Sequence, residues 1–238
     1  ADRATAAFYD RWKALYLEPG CGAGEVRVKA DTGAGAWVVS EGQGYGMLAV
    51  VMMAGHDRRG QALFDGLHRY NRRHPSRNDP DLVAWAQDRD CNDILNPDSA
   101  TDGDLDIAYA LLLADLQWGS DGAIDYAAEA ARVLAAIGRR NVDPRTGIVN
   151  LGDWVGTGGR YADGTRSSDW MLGHFRAFAA RGVPGWKRSL AAHQRLIARM
   201  QARFAPDTGL LPDFVVDTDG RPRPAPRGYL EARSDGSY

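Results

Sequence analysis

Helical segments of two kinds alternate along the chain, and the alternation predicts an all-α fold: an α/α toroid in which inner helices line a centre and outer helices cover them. Residues 43–54 and 104–116 are apolar nearly all round, the pattern of a helix buried on every side. The segment after each is amphipathic, with Leu63, Leu67 and Tyr70 in one and Ile124, Ala127, Ala131, Leu134 and Ile137 in the other. A third pair follows at residues 168–180 and 185–204, the second placing Leu190, Ile197, Met200 and Phe204 on one stripe.

In chain order, a helix opens the sequence over residues 4–17, where Phe8, Trp12 and Leu15 share a face. Short β signals at Glu25–Val28, Trp37–Val39 and Ile148–Leu151 predict ribbons at the rim. Residues 141–166 and 205–238 are rich in Gly, Pro, Asp and Arg and predict long loops, the second with no helix of its own. Loops of that length in a compact domain commonly carry function.

Composition removes several function classes. A net charge of -2, from 29 Lys+Arg against 31 Asp+Glu, with no run of five or six basic residues, supplies no field for nucleic acid. The most apolar run, Met47–Met53, falls far short of the roughly 20 residues a membrane-spanning helix needs. The nucleophile elbow GxSxG, the P-loop and a strand-to-helix GxGxxG are absent, as is HExxH. Asp102-x-Asp104-x-Asp106 opens like a calcium loop, but Ile107 stands where the loop needs Gly and Leu113 where it needs Glu. No metal and no cofactor are expected. Cys21 and Cys91 are compatible with a disulfide or with two thiols.

What remains is a set of carboxylates at the starts of the inner helices: Ser40-Glu41-Gly42-Gln43, Thr101-Asp102-Gly103-Asp104 and Ser167-Ser168-Asp169. In a repeated hairpin unit the inner helices run parallel, so Glu41, Asp102 and Asp169 would meet at one end, where paired acids can do acid and base chemistry on a neutral polymer. Capping is the competing reading. Ser40 with Gln43 fits a capping box, Thr101 with Asp104 approximates one, and Asp favours helix starts. Capping leaves Glu41 and the Gly44-Tyr45-Gly46 after it unexplained. Trp85, Trp118, Trp154 and Trp170 fall near the predicted rim or inner helices, where aromatic faces stack either on sugar rings or on the core.

Ser40-Glu41-Gly42-Gln43-Gly44-Tyr45-Gly46-Met47 resembles the signature of family 8 glycoside hydrolases, and the block Ser99–Ala110 around Asp102 resembles its second conserved segment. The resemblance continues through Asp115–Ser120, Arg166–Met171, His174–Phe178 and Thr208–Phe214, nearly the whole chain. It implies an (α/α)6 barrel forming a single catalytic domain over residues 1–238. With seven or eight helices visible against the twelve of a closed barrel, the C-terminal helices are expected to be missing. The implied activity is internal hydrolysis of β-1,4-linked polysaccharide with inversion, on cellulose-type or mixed-linkage β-glucan, with chitosan a close second. The other reading is a non-hydrolysing glycan-binding or degenerate homologue, or an inactive fragment.

By the same resemblance Glu41 is the general acid and Asp102 holds a distorted sugar ring at the cleavage subsite. Inversion needs a second carboxylate about 6.5–9.5 Å from the first. Many members use an Asp in a C-terminal motif not found in this sequence; the chitosanase and glucanase branch, which the blocks here resemble, uses a Glu from a long loop, and that role falls on Glu231. Tyr45, Trp85, Trp154 and Asp169 are the expected substrate-binding residues, Trp85 as a stacking platform. The partner is the polysaccharide alone, without nucleic acid or membrane. A complete barrel would be monomeric, and the site of action secreted or periplasmic, with the signal segment absent from this chain. That compartment favours a Cys21–Cys91 disulfide.

Overall fold

The computed structural model describes residues 2–32, 35–156 and 158–230. Among these it has seven α-helices and three small antiparallel sheets, and it divides into two compact units between Ala136 and Ile137.

The first unit carries α1 (Arg3–Tyr16), β1 (Leu17–Pro19), β2 (Val26–Val28), β3 (Val38–Val39), α2 (Ser40–Met52), α3 (Gly60–Arg73), β4 (Ala86–Gln87), β5 (Asp93–Ile94) and α4 (Thr101–Trp118). α5 (Tyr126–Arg140) runs across the division. The ribbon β1–β2 pairs Leu17 with Val28, and β3–β4–β5 pairs Val39 with Ala86 and Ala86 with Ile94. The expected alternation is present, though α2 and α4 are not buried all round: each leaves one stripe open, with Tyr45 and Met52 exposed on α2 and Leu116 on α4, whereas α3 buries Phe64, Leu67, His68, Tyr70 and Asn71 and leaves its other face to Arg and Gln.

α2 and α4 pack so closely that side chains are excluded at the contact. A Cβ on Gly103 would lie 2.7 Å from Ser40 Cβ, and one on Gly44 would lie 2.6 Å from Asp106 Cβ. Buried Gln43 ties this pair to its surroundings, accepting from Val28 N–H (2.6 Å) and donating to Asn71 Oδ1 (3.0 Å). Cys21 and Cys91 form a disulfide across 70 residues, joining the β1–β2 turn to the β4–β5 turn. Arg27 braces it, donating to Cys91 Sγ (3.0 Å), the Arg89 carbonyl (2.9 Å) and Glu18 (2.8 Å).

The second unit carries β6 (Thr165–Arg166), a single 3-10 turn (Ser167–Asp169), α6 (Leu172–Ala180), α7 (Trp186–Phe204), β7 (Phe214–Val216) and β8 (Arg223–Pro224), with sheet order β6–β7–β8. Aromatic rings fill the α6–α7 contact: Trp186 lies 5.1 Å from Phe175 and 4.8 Å from Phe178, and His193 lies 4.9 Å from Phe175.

Three expectations are corrected. The face of α1 that carries Phe8 and Leu15 points outward, with Phe8 75% and Leu15 58% exposed; Tyr9 is buried instead, because its hydroxyl donates to Asp57 (3.0 Å) and Lys13 pairs with the same carboxylate. The helix expected over 168–180 is broken at Trp170–Met171, where the buried Trp170 indole donates to Thr165 Oγ1 (2.9 Å). Ile148–Leu151 makes only an isolated bridge, Val142 with Val149.

Candidate active site

Glu41 and Asp102 are each the second residue of an inner helix, α2 and α4. Because Gly103 abuts Ser40, the two helix starts meet, and the acids that follow and precede those residues are brought to one place. Both are half-buried. The capping reading fails at both helices. The N-caps are Val39 and Ala100, neither making a side-chain cap, and Gln43 is engaged with Val28 and Asn71. Asp104, fully buried, accepts from Val83 N–H (3.1 Å).

Glu41 is gripped at both oxygens. The Trp85 indole N–H donates to Oε1 (3.0 Å) and the Ser40 hydroxyl donates to Oε2 (3.2 Å). Trp85 is half-buried, one side packed with Ala36, Val39 and Ala86. Its backbone is fixed as firmly: its N–H donates to the Asp98 carbonyl and its carbonyl accepts from Ser40 N–H, both at 2.8 Å. Asp98 is in turn held by a two-pronged Arg77 (2.6 and 3.1 Å) and by Asn78 Nδ2 (2.8 Å). The chain Arg77–Asp98–Trp85–Glu41 therefore links an exposed ion pair to the acid. Sequence reasoning missed Ser40 as a partner of Glu41, and missed Arg77 and Asn78 altogether, since nothing local marks residues so distant along the chain as neighbours.

Asp102 accepts from the N–H of Gly103 (2.9 Å). Tyr45 lies one turn beyond Glu41 and is 56% exposed. Asp104 and Asp106 are buried, and among the described residues no group of three His, Cys, Asp or Glu side chains could hold a metal ion. No helix among them is long and apolar enough to cross a membrane.

The other expected site residues lie in the second unit. Asp169 sits buried on the 3-10 turn and accepts from the Ser168 hydroxyl (2.9 Å). Trp154 is half-buried, edge-on to Tyr161 (5.4 Å), against the cluster of Leu151, Phe214, Val216 and Tyr229. His193, fully buried in α7, accepts from Val149 N–H at Nε2 (3.3 Å) while Nδ1 faces the Ser189 carbonyl (2.8 Å). Nδ1 therefore carries the proton, and burial pushes the imidazole down to about 4. Glu231 lies outside the described residues.

The family description "Glycosyl hydrolases family 8" matches residues 1–231. A "Beta-glucanase" of Niallia circulans is 43% identical over 238 residues, covering 100% of this chain and 57% of that protein. An "Endoglucanase" of Bacillus sp. (strain KSM-330) is 39% identical over 248 aligned residues, covering 100% of this chain and 52% of that protein. The chain thus spans little more than half the length of these relatives. Among solved structures, "Apo Structure of Beta-1,3-1,4-glucanase from Paenibacillus sp.X4" matches 99% of this chain and 62% of that one at 42% identity, with a TM-score of 0.92. The fold class is that of the (α/α)6 barrels, of which the described helices form part.

Proposed function

Because the chain belongs to glycosyl hydrolase family 8, we propose that it is the acid-bearing part of an endo-acting β-glucanase catalytic domain, cutting within β-1,4-linked chains of mixed-linkage or cellulose-type glucan. The observation that carries this is the grip on Glu41: a carboxyl at the start of an inner helix, held by Trp85 and Ser40 beside Asp102. The names of the Niallia and Paenibacillus relatives favour β-glucan over chitosan.

In this reading Glu41 gives its proton to the glycosidic oxygen as the bond to the anomeric carbon breaks. Asp102 stands beside Glu41 at the start of α4, and a glycan filling the cleft excludes water from the pair. Water attacks from the opposite ring face with inversion, and Glu231 is the candidate base. Tyr45, Trp85, Trp154 and Asp169 are the proposed sugar contacts. The Cys21–Cys91 disulfide suits an oxidising compartment, secreted or periplasmic.

The test is release of reducing ends from lichenan, carboxymethyl cellulose and chitosan by the chain and by Glu41→Gln. We expect release from lichenan above all, and a loss of at least about a hundredfold in the variant with glycan binding intact. Undiminished hydrolysis by Glu41→Gln overturns the acid assignment. Glycan binding without hydrolysis of any of the three overturns the enzymatic reading of this chain in favour of a binding role.

A further inference from the structure

The Trp85–Glu41 contact implies more than a platform for a sugar ring. We infer that Trp85 is a positioning residue that decides which oxygen of Glu41 carries the proton. The inference rests on Glu41 being the acid. An indole N–H can donate and cannot accept. The hydroxyl oxygen of a protonated carboxyl is a poorer acceptor than the carbonyl oxygen beside it, so with Trp85 Nε1–H directed at Oε1 (3.0 Å) the carboxyl keeps Oε1 as its carbonyl and bears its proton on Oε2. The neighbour of Oε2 is Ser40 Oγ (3.2 Å), a hydroxyl that is almost wholly buried. A hydroxyl donates or accepts by rotating about its C–O bond. It therefore donates to Oε2 of the carboxylate and turns away, or accepts, when Oε2 is protonated. One partner is fixed in its polarity and the other reversible, so the two states of the acid differ at Oε2 alone.

The arrangement is held from outside the site. The Trp85 indole is placed by its own backbone, pinned between the Asp98 carbonyl and Ser40 N–H, and Asp98 is clamped by Arg77 and Asn78. The first bond to fix Ser40 and the bond that fixes the acid thus come from the same tryptophan: its carbonyl sets the residue before Glu41 and its ring sets Glu41. The movement of a proton from Oε2 to the glycosidic oxygen leaves the Trp85 bond unbroken, and the electron pair of the cleaved bond stays with that oxygen.

Heteronuclear spectra of the chain test this without relying on turnover. The Trp85 indole resonance, identified by its loss in Trp85→Phe or by sequential assignment if that variant does not fold, should shift through one acidic transition as Glu41 ionises. In Glu41→Gln, whose amide oxygen still accepts the N–H, the resonance should remain and cease to shift over that transition. A resonance indifferent to pH, or one that titrates equally in Glu41→Gln, overturns the inference. In hydrolysis, Trp85→Phe keeps the ring and loses the donor. We expect kcat to fall about tenfold, as loss of a hydrogen bond to a charged group predicts, and the alkaline limb of the rate profile to move to higher pH. A rise in KM alone would reduce Trp85 to a stacking surface. A wild-type chain without hydrolysis would overturn the proposed function and leave the spectra to decide the contact.

Discussion

The helix pair α2–α4 and the helix pair α6–α7 solve the same packing problem in opposite ways. In the first, glycines at 44 and 103 let backbone meet side-chain stems, and the helix starts carry Glu41 and Asp102 within their first turns. In the second, Trp186, Phe175, Phe178 and His193 fill the space with rings, and Asp169 is cut off from α6 by the Trp170–Met171 break. Close backbone approach fixes the direction of the groups at its ends. Ring packing tolerates an irregular start, because large side chains absorb a change in path.

The two regions should also fail differently, and the largest expected effect lies in the first. Replacing Cys21 and Cys91 by Ala opens a loop of 70 residues, for which chain entropy predicts a loss of about 4 kcal/mol. A urea midpoint unmoved by the double substitution would show that the Arg27 contacts hold the ribbon without the covalent bond. The next effect belongs to the second region. The folded imidazole of His193 titrates at about 4, below the ordinary 6.5. Above pH 6.5 neither state holds the proton and stability is full. As pH falls from 6.5 to 4 the unfolded chain takes up a proton that the folded chain refuses, so stability declines, by about 3 kcal/mol in all. Amide exchange at Val149, which donates to this imidazole, should quicken over that range, and His193→Gln should remove the acid-dependent part.

Glu129 in the first region sharpens the contrast. The His68 imidazole beside it (Nε2 to Oε2, 3.3 Å), with Arg132 and Arg72 close by, holds its carboxyl down to about 2, so what it contributes persists above 4.5 and disappears only as pH falls from there toward 2. On acidification the second region is therefore expected to loosen first, and exchange that quickens in α3 before α7 would break the comparison. The smallest effect is at the glycine contact. Gly103→Ala drives a methyl against Ser40, and overpacking of this kind costs about 2 kcal/mol. Hydrolysis should fall more than stability does, because Ser40 is displaced together with the acid it precedes.

Much of this was legible in the sequence because it is periodic or local. The apolarity of residues 43–54 and 104–116, against the one-sided stripe of Leu63, Leu67 and Tyr70, marks the two inner helices, although Tyr45, Met52 and Leu116 on them are exposed. Glu41 stood out because capping did not account for it, and Asp102 because it opens a second inner helix in the same way. What could not be read depends on pairs remote in sequence. Ser40 looks like a cap until Trp85, 45 residues later, is seen to accept its N–H. Phe8 and Leu15 share a face by spacing, yet Asp57 draws Tyr9 and Lys13 inward and turns that face out. The β6–β7–β8 sheet was hidden inside segments whose Gly, Pro and Asp content describes loops, and its strands are only two or three residues long.

The separation of Glu41 and Asp102 is set by an atom that is not there. Gly103 already has the smallest side chain a residue can have, so every replacement at that position adds volume and none removes it. Variation at residue 103 can only add volume against Ser40, between the two helix starts. A lineage that drifts toward a wider spacing has many single steps available at this residue, whereas one that requires a narrower spacing has none and must change the path of a helix.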